Sequence, residues 1–161
     1  TNGMLWFIMA GTVTGSCSIP LSATLKGTGT ITGDLTNAGI ISPGSSPSII
    51  SAGGIYTQAS TGVLVIELGG TDPGTGYDQL AVTGTAALSG TLDVSLIDPF
   101  NPVLGQTFTI MTYGSHTSEF NTVNLPELGA GLDWEITYGA TSVQLAVMEG
   151  SYFVYLPLIM R

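Results

Sequence analysis

The sequence predicts an all-β protein built as a short parallel β-solenoid, and three observations lead there. Between residues 25 and 113 apolar and polar residues alternate in short runs, and no window of a dozen residues has a helical period. Turn-forming residues punctuate the runs, with 23 glycines in 161 residues. A short unit also recurs, in which a glycine precedes one residue and then an apolar one, as in Gly33-Asp-Leu35, Gly54-Ile-Tyr56, Gly62-Val-Leu64 and Gly90-Thr-Leu92. In a stack of β-coils such glycines mark corners where a side chain would collide with the neighbouring coil.

The elements follow in order. Residues 4–13, rich in large apolar side chains around Trp6, form an N-terminal apolar strand, too short to cross a bilayer as a helix and without the basic residues of a signal peptide. Residues 25–113 form the coils. Their strands are expected at 30–35, 63–68, 79–83, 91–96 and 107–111, separated by turns such as Asn37-Ala-Gly39, Pro43-Gly44, Gly69-Gly70 and Asp72-Pro-Gly74. In the region 114–147, Asp133–Tyr138 and Ser142–Val147 flank Gly139-Ala-Thr141, an antiparallel hairpin expected to cap the stack. Residues 151–161 end the chain in an almost wholly apolar segment, whose Pro157 bars it from a central strand. All of this fits one domain, 1–161.

Composition excludes several functions. Lys26 and Arg161 are the only cations against eleven carboxylates, a net charge of −9. Two cations cannot neutralise the phosphates of a nucleic acid or hold an anionic membrane surface. Charged residues make up only 8% of the chain, so Ser and Thr hydroxyls wet the surface, as in proteins that work outside the cell. Cys17 is alone and forms no disulfide within the chain; it reads as a small buried or half-buried thiol.

The stretch Gly33-Asp-Leu-Thr-Asn-Ala-Gly-Ile-Ile-Ser-Pro-Gly-Ser-Ser-Pro-Ser-Ile-Ile50, with Gly54-Ile-Tyr-Thr-Gln58, resembles the C-terminal part of autotransporter-type passenger domains. Leu64–Gly70, Tyr77–Gly84, Ala87–Leu92 and Gly105–Tyr113 continue the resemblance, which covers residues 27–147 and is most specific over 33–92. It implies a right-handed parallel β-helix, an extracellular or cell-surface scaffold and no catalytic residues. The chain departs from that family in having no membrane-barrel translocator and in its shortness. Its Leu-Pro-Leu tail ending in Arg161 resembles the C-termini of some secreted bacterial proteins.

Chemistry has few residues to draw on. His116 is the only histidine and is expected in a solvated loop. Asp78, Asp93 and Asp98 are the carboxylates to weigh as a glycosidase pair, but the basic partners that accompany such acids in polysaccharide-cleaving β-helices are almost absent, so the chain reads as no enzyme. Asp72 and Asp78, at the ends of a Gly-rich turn, are the candidates for a calcium ion, against a plain polar turn. No phosphate-binding loop and no other cofactor pattern is present, nor any Asn-x-Ser/Thr sequon, while the dense hydroxyls leave O-glycosylation open.

Two functions remain. The first is a self-assembling subunit of a surface filament or layer, a homopolymer or homo-oligomer whose interface comprises Leu5, Trp6, Phe7 and Ile8 at one terminus and Tyr152, Phe153, Val154, Tyr155, Leu156, Leu158 and Ile159 at the other. Open ends of a solenoid are templates for strand addition, and these termini carry no charge before Arg161. The second is an adhesin or carbohydrate-binding fragment with glycans as partners. It needs exposed aromatic platforms, whereas Trp6 and Trp134 sit within apolar alternation that predicts core positions.

Overall fold

The computed structural model describes residues 5–44 and 47–151, and among them it is all-β. Strands β1 (Leu5–Val13), β2 (Cys17–Ile19), β3 (Ala23–Ile31), β4 (Leu35–Asn37) and β5 (Ile40–Pro43) come first. They are followed by β6 (Ile49–Ala52), β7 (Tyr56–Gln58), β8 (Val63–Leu68), β9 (Gln79–Val82), β10 (Thr85–Ala87) and β11 (Thr91–Leu96). The chain continues through β12 (Thr107–Thr112), β13 (Ser115–Thr117), β14 (Thr122–Asn124), β15 (Leu132–Tyr138) and β16 (Ser142–Glu149). The expected strands at 63–68 and 91–96 fall as predicted. The one expected at 30–35 is instead cut by a bend at Thr32-Gly33, which ends β3 and turns the chain into β4.

The strands form an 11-stranded and a five-stranded sheet, which together make three columns. One column runs β5–β8–β11–β14 and a second β6–β9–β12, both starting from the long β3; the third runs β2–β4–β7–β10–β13. Neighbours within these columns pair in parallel, so the predicted parallel pairing through 27–113 is present. Register is kept over long distances: Trp6 faces Thr24, then Ile40, Val63, Thr91 and Thr122 in successive strands. The ladder does not stay parallel to its end. β16 pairs antiparallel with β12, and β15 with β16, so the larger sheet is a curled, mixed half-barrel rather than one uninterrupted parallel coil. The predicted hairpin therefore exists, but it extends the sheet edge-on beyond β12.

Period-two burial explains why these residues form these strands. Leu64, Ile66 and Leu68 of β8, Leu80 and Val82 of β9, and Leu92 and Val94 of β11 all face one continuous core, with Phe108 and Ile110 of β12. At the hairpin end Tyr77, Phe100 and Trp134 surround the Phe108 ring at centroid distances of 5.5, 6.1 and 5.9 Å. The inward row also admits polar residues, the Asn37 amide donating to the Val63 carbonyl at 3.0 Å while its oxygen finds no partner among the described residues. Asn37 follows Leu35 by two and Gln58 follows Tyr56 by two, so both turn inward. The Gln58 amide donates to the carbonyls of Gly62, Ser89 and Thr91 at 2.9–3.1 Å, and the Tyr56 hydroxyl donates to its oxygen.

One corner shows why glycine punctuates the chain. Gly15, Gly33, Gly54, Gly84 and Gly114 lie in a column in which each amide donates to the carbonyl of the glycine before it, at 2.9–3.0 Å. A Cβ on Gly33, Gly84 or Gly114 would lie 2.7 Å from backbone atoms of the preceding level, closer than real side chains come.

Candidate functional site

The structure places the first four predicted interface residues on one uncovered strand. β1 pairs with β3 in parallel over all nine residues, and no second partner strand lies along it among the described residues. The Leu5 amide donates to the Ser22 carbonyl and the Val13 carbonyl accepts from the Thr32 amide. Parallel strands alternate their backbone bonds, so Trp6 and Ile8 turn their amides and carbonyls away from β3. Only Met9 of this strand is buried. Trp6 is 51% exposed and Ile8 83%. Trp6 is thus not the core residue that its alternation predicts: its register through Ile40, Val63, Thr91 and Thr122 is the outward row of the sheet, whereas Phe7 shares the inward row of Leu25, Ile41 and Leu64. The Lys26 ammonium sits 5.6 Å from the centre of the Trp6 ring, a cation–π contact at the rim. Beside the strand lies a groove of about 570 Å³, lined by β1 together with Cys17, Leu25 and Ile31. Burial pushes the Cys17 thiol up, away from the reactive thiolate. The other predicted interface residues, Tyr152, Phe153, Val154, Tyr155, Leu156, Leu158 and Ile159, lie outside the described residues.

Asp78 has a role that its place beside a Gly-rich turn conceals. Its side chain is fully buried. One carboxylate oxygen accepts from the Ser48 amide at 2.8 Å and the other from the Glu67 amide at 3.0 Å. The backbone joins the same two places, since the Asp78 amide donates to the Glu67 carbonyl and the Gln79 amide to the Ser48 carbonyl. Asp78 therefore staples the entry of β6 to β8. Burial raises its pKa to about 7, helped by the Glu67 charge; the two amide donors and Lys26 only partly offset this. The signal was in the alternation, which puts residue 78 on the same inward face as Leu80 and Val82.

The remaining candidates are scattered. Asp72, Asp93 and Asp98 are exposed, with Asp93 on β11 beside Val65 and Asn124 of the neighbouring strands. Asp78 is committed to its two amides, and among the described residues no three His, Cys, Asp or Glu side chains come together to hold a metal. His116 is not in a solvated loop: it is half-buried on β13, with ring centroids 5.1 Å from Tyr113 and 6.3 Å from Tyr138. Trp134 lines a second groove, of about 360 Å³, with Glu127 and Asp133, but its indole N–H is tied to the Pro126 carbonyl and its ring to Phe108. Among the described residues no helix is long and apolar enough to cross a membrane. No family model matches the chain, and no curated protein matches it.

Proposed function

We propose that this chain is an extracellular structural subunit of a bacterial surface filament or layer, a short right-handed parallel β-helix that self-assembles by stacking strands between subunits. The observation that carries this reading is β1: nine residues, paired on one side only among the described residues and lined by large exposed apolar side chains. Uncovered edges of this kind recruit further strands, and natural monomers blunt them with charge. Here none of the nine residues is charged. Covering Trp6, Phe7 and Ile8 contributes about 1.5–3 kcal/mol for each side chain fully removed from water. The apolar segment Tyr152–Met160, outside the described residues, belongs to the same reading as a second contact between subunits. The autotransporter-like motifs over residues 33–92 support a scaffold role on the cell surface.

Light scattering over a concentration series tests this. The wild-type chain is expected to grow in mass with concentration. Ile8→Lys places a charge on the open edge at a side chain that the subunit does not bury, so it should keep the same circular dichroism and remain at monomer mass. A wild-type chain that stays monomeric into the millimolar range, or an Ile8→Lys variant that assembles equally well, refutes the reading.

A further inference from the structure

We propose that two copies of this chain pair head to head through β1, the two strands antiparallel about a two-fold axis at Ala10. This rests on the assembly reading above and names its partner strand and register. Three observations carry it.

The first is the path of the strand. In β3, Thr24–Gly27 pairs with β5 and Gly29–Ile31 with β6, which belong to different columns, so β3 turns a corner at Thr28. β1 follows β3 residue by residue and turns the same corner at Ala10, with Leu5–Met9 on one arm and Gly11–Val13 on the other. A strand laid along β1 must bend at the same place. Among the described residues the other strands paired on one side only have no such path: β2, β13 and β14 have three residues each, and β15 continues only the column of β12. A second β1 does bend there. A two-fold axis through Ala10 lays each arm against the opposite arm of the other copy, the self-complementary geometry of an isologous contact.

The second is the fit along the edge. Backbone bonds to β3 alternate, so Ile8, Ala10 and Thr12 join Trp6 in turning their amides and carbonyls away from it. About Ala10 these groups meet in pairs: Ala10 with its own copy, Ile8 with Thr12, and Trp6 with Thr14. Between them Met9 falls beside Gly11 and Phe7 beside Val13, so each larger side chain meets a smaller one. A Cβ on Gly27 or Gly29 would strike the backbone of Met9 or Gly11, which shows how closely levels approach at this corner. Gly11 repeats the left-handed backbone of those glycines at φ +115°, yet nothing lies within 4 Å of where its own Cβ would stand. Room is left there for a neighbouring backbone.

The third is charge. The chain has a net charge of −9, but no carboxylate precedes Asp34 and β1 itself is uncharged. Glu119, Glu127, Asp133 and Glu135 are all exposed on the elements of the opposite end, where two copies would repel each other. In the pair the two Lys26 side chains start at least three strand spacings apart, about 14 Å. That exceeds the screening length of about 8 Å at physiological salt. An isologous contact closes at two copies, so growth beyond the dimer falls to the second contact, Tyr152–Met160, which lies outside the described residues.

The test uses the full chain in a Cys17→Ser background, which removes the lone thiol, oxidised at concentrations where light scattering shows association. Ala10→Cys alone is expected to give a disulfide dimer, since directly opposed residues of such a pair stand about 5.5 Å apart, within reach of a disulfide. Ile8→Cys and Thr12→Cys are each expected to stay uncrosslinked alone and to give a mixed dimer when combined, a second readout if the change at Ala10 weakens association. Ile8→Cys crosslinking to itself as readily as Ala10→Cys overturns the proposal while leaving self-assembly intact. Particles that form with no crosslink from Ala10→Cys and none from the mixture overturn it too. A wild-type chain that never grows removes both this proposal and the assembly reading.

Discussion

Lowering the pH from about 8 to about 5 is expected to stabilise the folded protein, and Asp78 is the reason. Its carboxyl titrates near 7 in the folded chain against an ordinary 3.8, because burial penalises the charge more than Ser48, Glu67 and Lys26 compensate. Between those two values the folded chain holds a proton that the unfolded chain has released, so stability falls as pH rises through this window. Above about 7 the charged carboxylate is carried by both states and the loss is complete. Of the about three pKa units, an upper bound of about 4 kcal/mol, the range from pH 8 to 5 covers about two, or about 3 kcal/mol. Urea denaturation across this pH range measures it. Asp78→Asn cannot ionise, so its stability should vary much less over the same range, which separates the Asp78 effect from the repulsion of the other carboxylates. If the wild type and Asp78→Asn trace parallel curves, the staple does not titrate as its burial requires.

Gly84→Val is expected to cost about 3 kcal/mol or more, a large share of the stability of a domain this size. The added Cβ would stand 2.7 Å from the Gly54 carbonyl oxygen, a backbone atom held in the hydrogen bond that joins the two levels. Relief requires the levels to part, which breaks that bond and opens the core beneath. Gly129→Val is the matched control, because nothing lies within 4 Å of a Cβ at Gly129. Equal melting temperatures for the two variants would show that the glycine column does not restrict side chains.

Much of this architecture was written in alternation. Val63–Leu68 and Thr91–Leu96 were read to the residue, because a buried-exposed period of two has one strand solution. The bend at Thr32-Gly33 was missed because alternation continues through Thr30–Leu35; only the stacking of Gly33 on Gly15 reveals a corner. The hairpin was visible as two alternating runs about a glycine, but its partner was not, since no local pattern states that Ser142 will face Thr112. Trp6 was assigned to the core on apolar neighbours alone. Its register sets it on the outward row with Ile40, Val63 and Thr91, while Phe7 and Met9 take the inward parity. Asn37 and Gln58 are polar and so read as surface residues, while Asp78, weighed as a catalytic carboxylate and a calcium ligand, is instead a buried staple. Parity with Leu80, Leu35 and Tyr56 points inward instead.

Hydrogen exchange at β1 tests the assembly account most directly. In dilute protein the outward-facing amides of Trp6 and Ile8 should exchange fast, while the Leu5 amide, bonded to Ser22, is slower. As concentration rises and particles form, the amides of Trp6 and Ile8 should become protected, on the order of tenfold or more, because a neighbour's strand now accepts their hydrogen bonds. Particles that grow while those two amides exchange at the dilute rate would contradict the account.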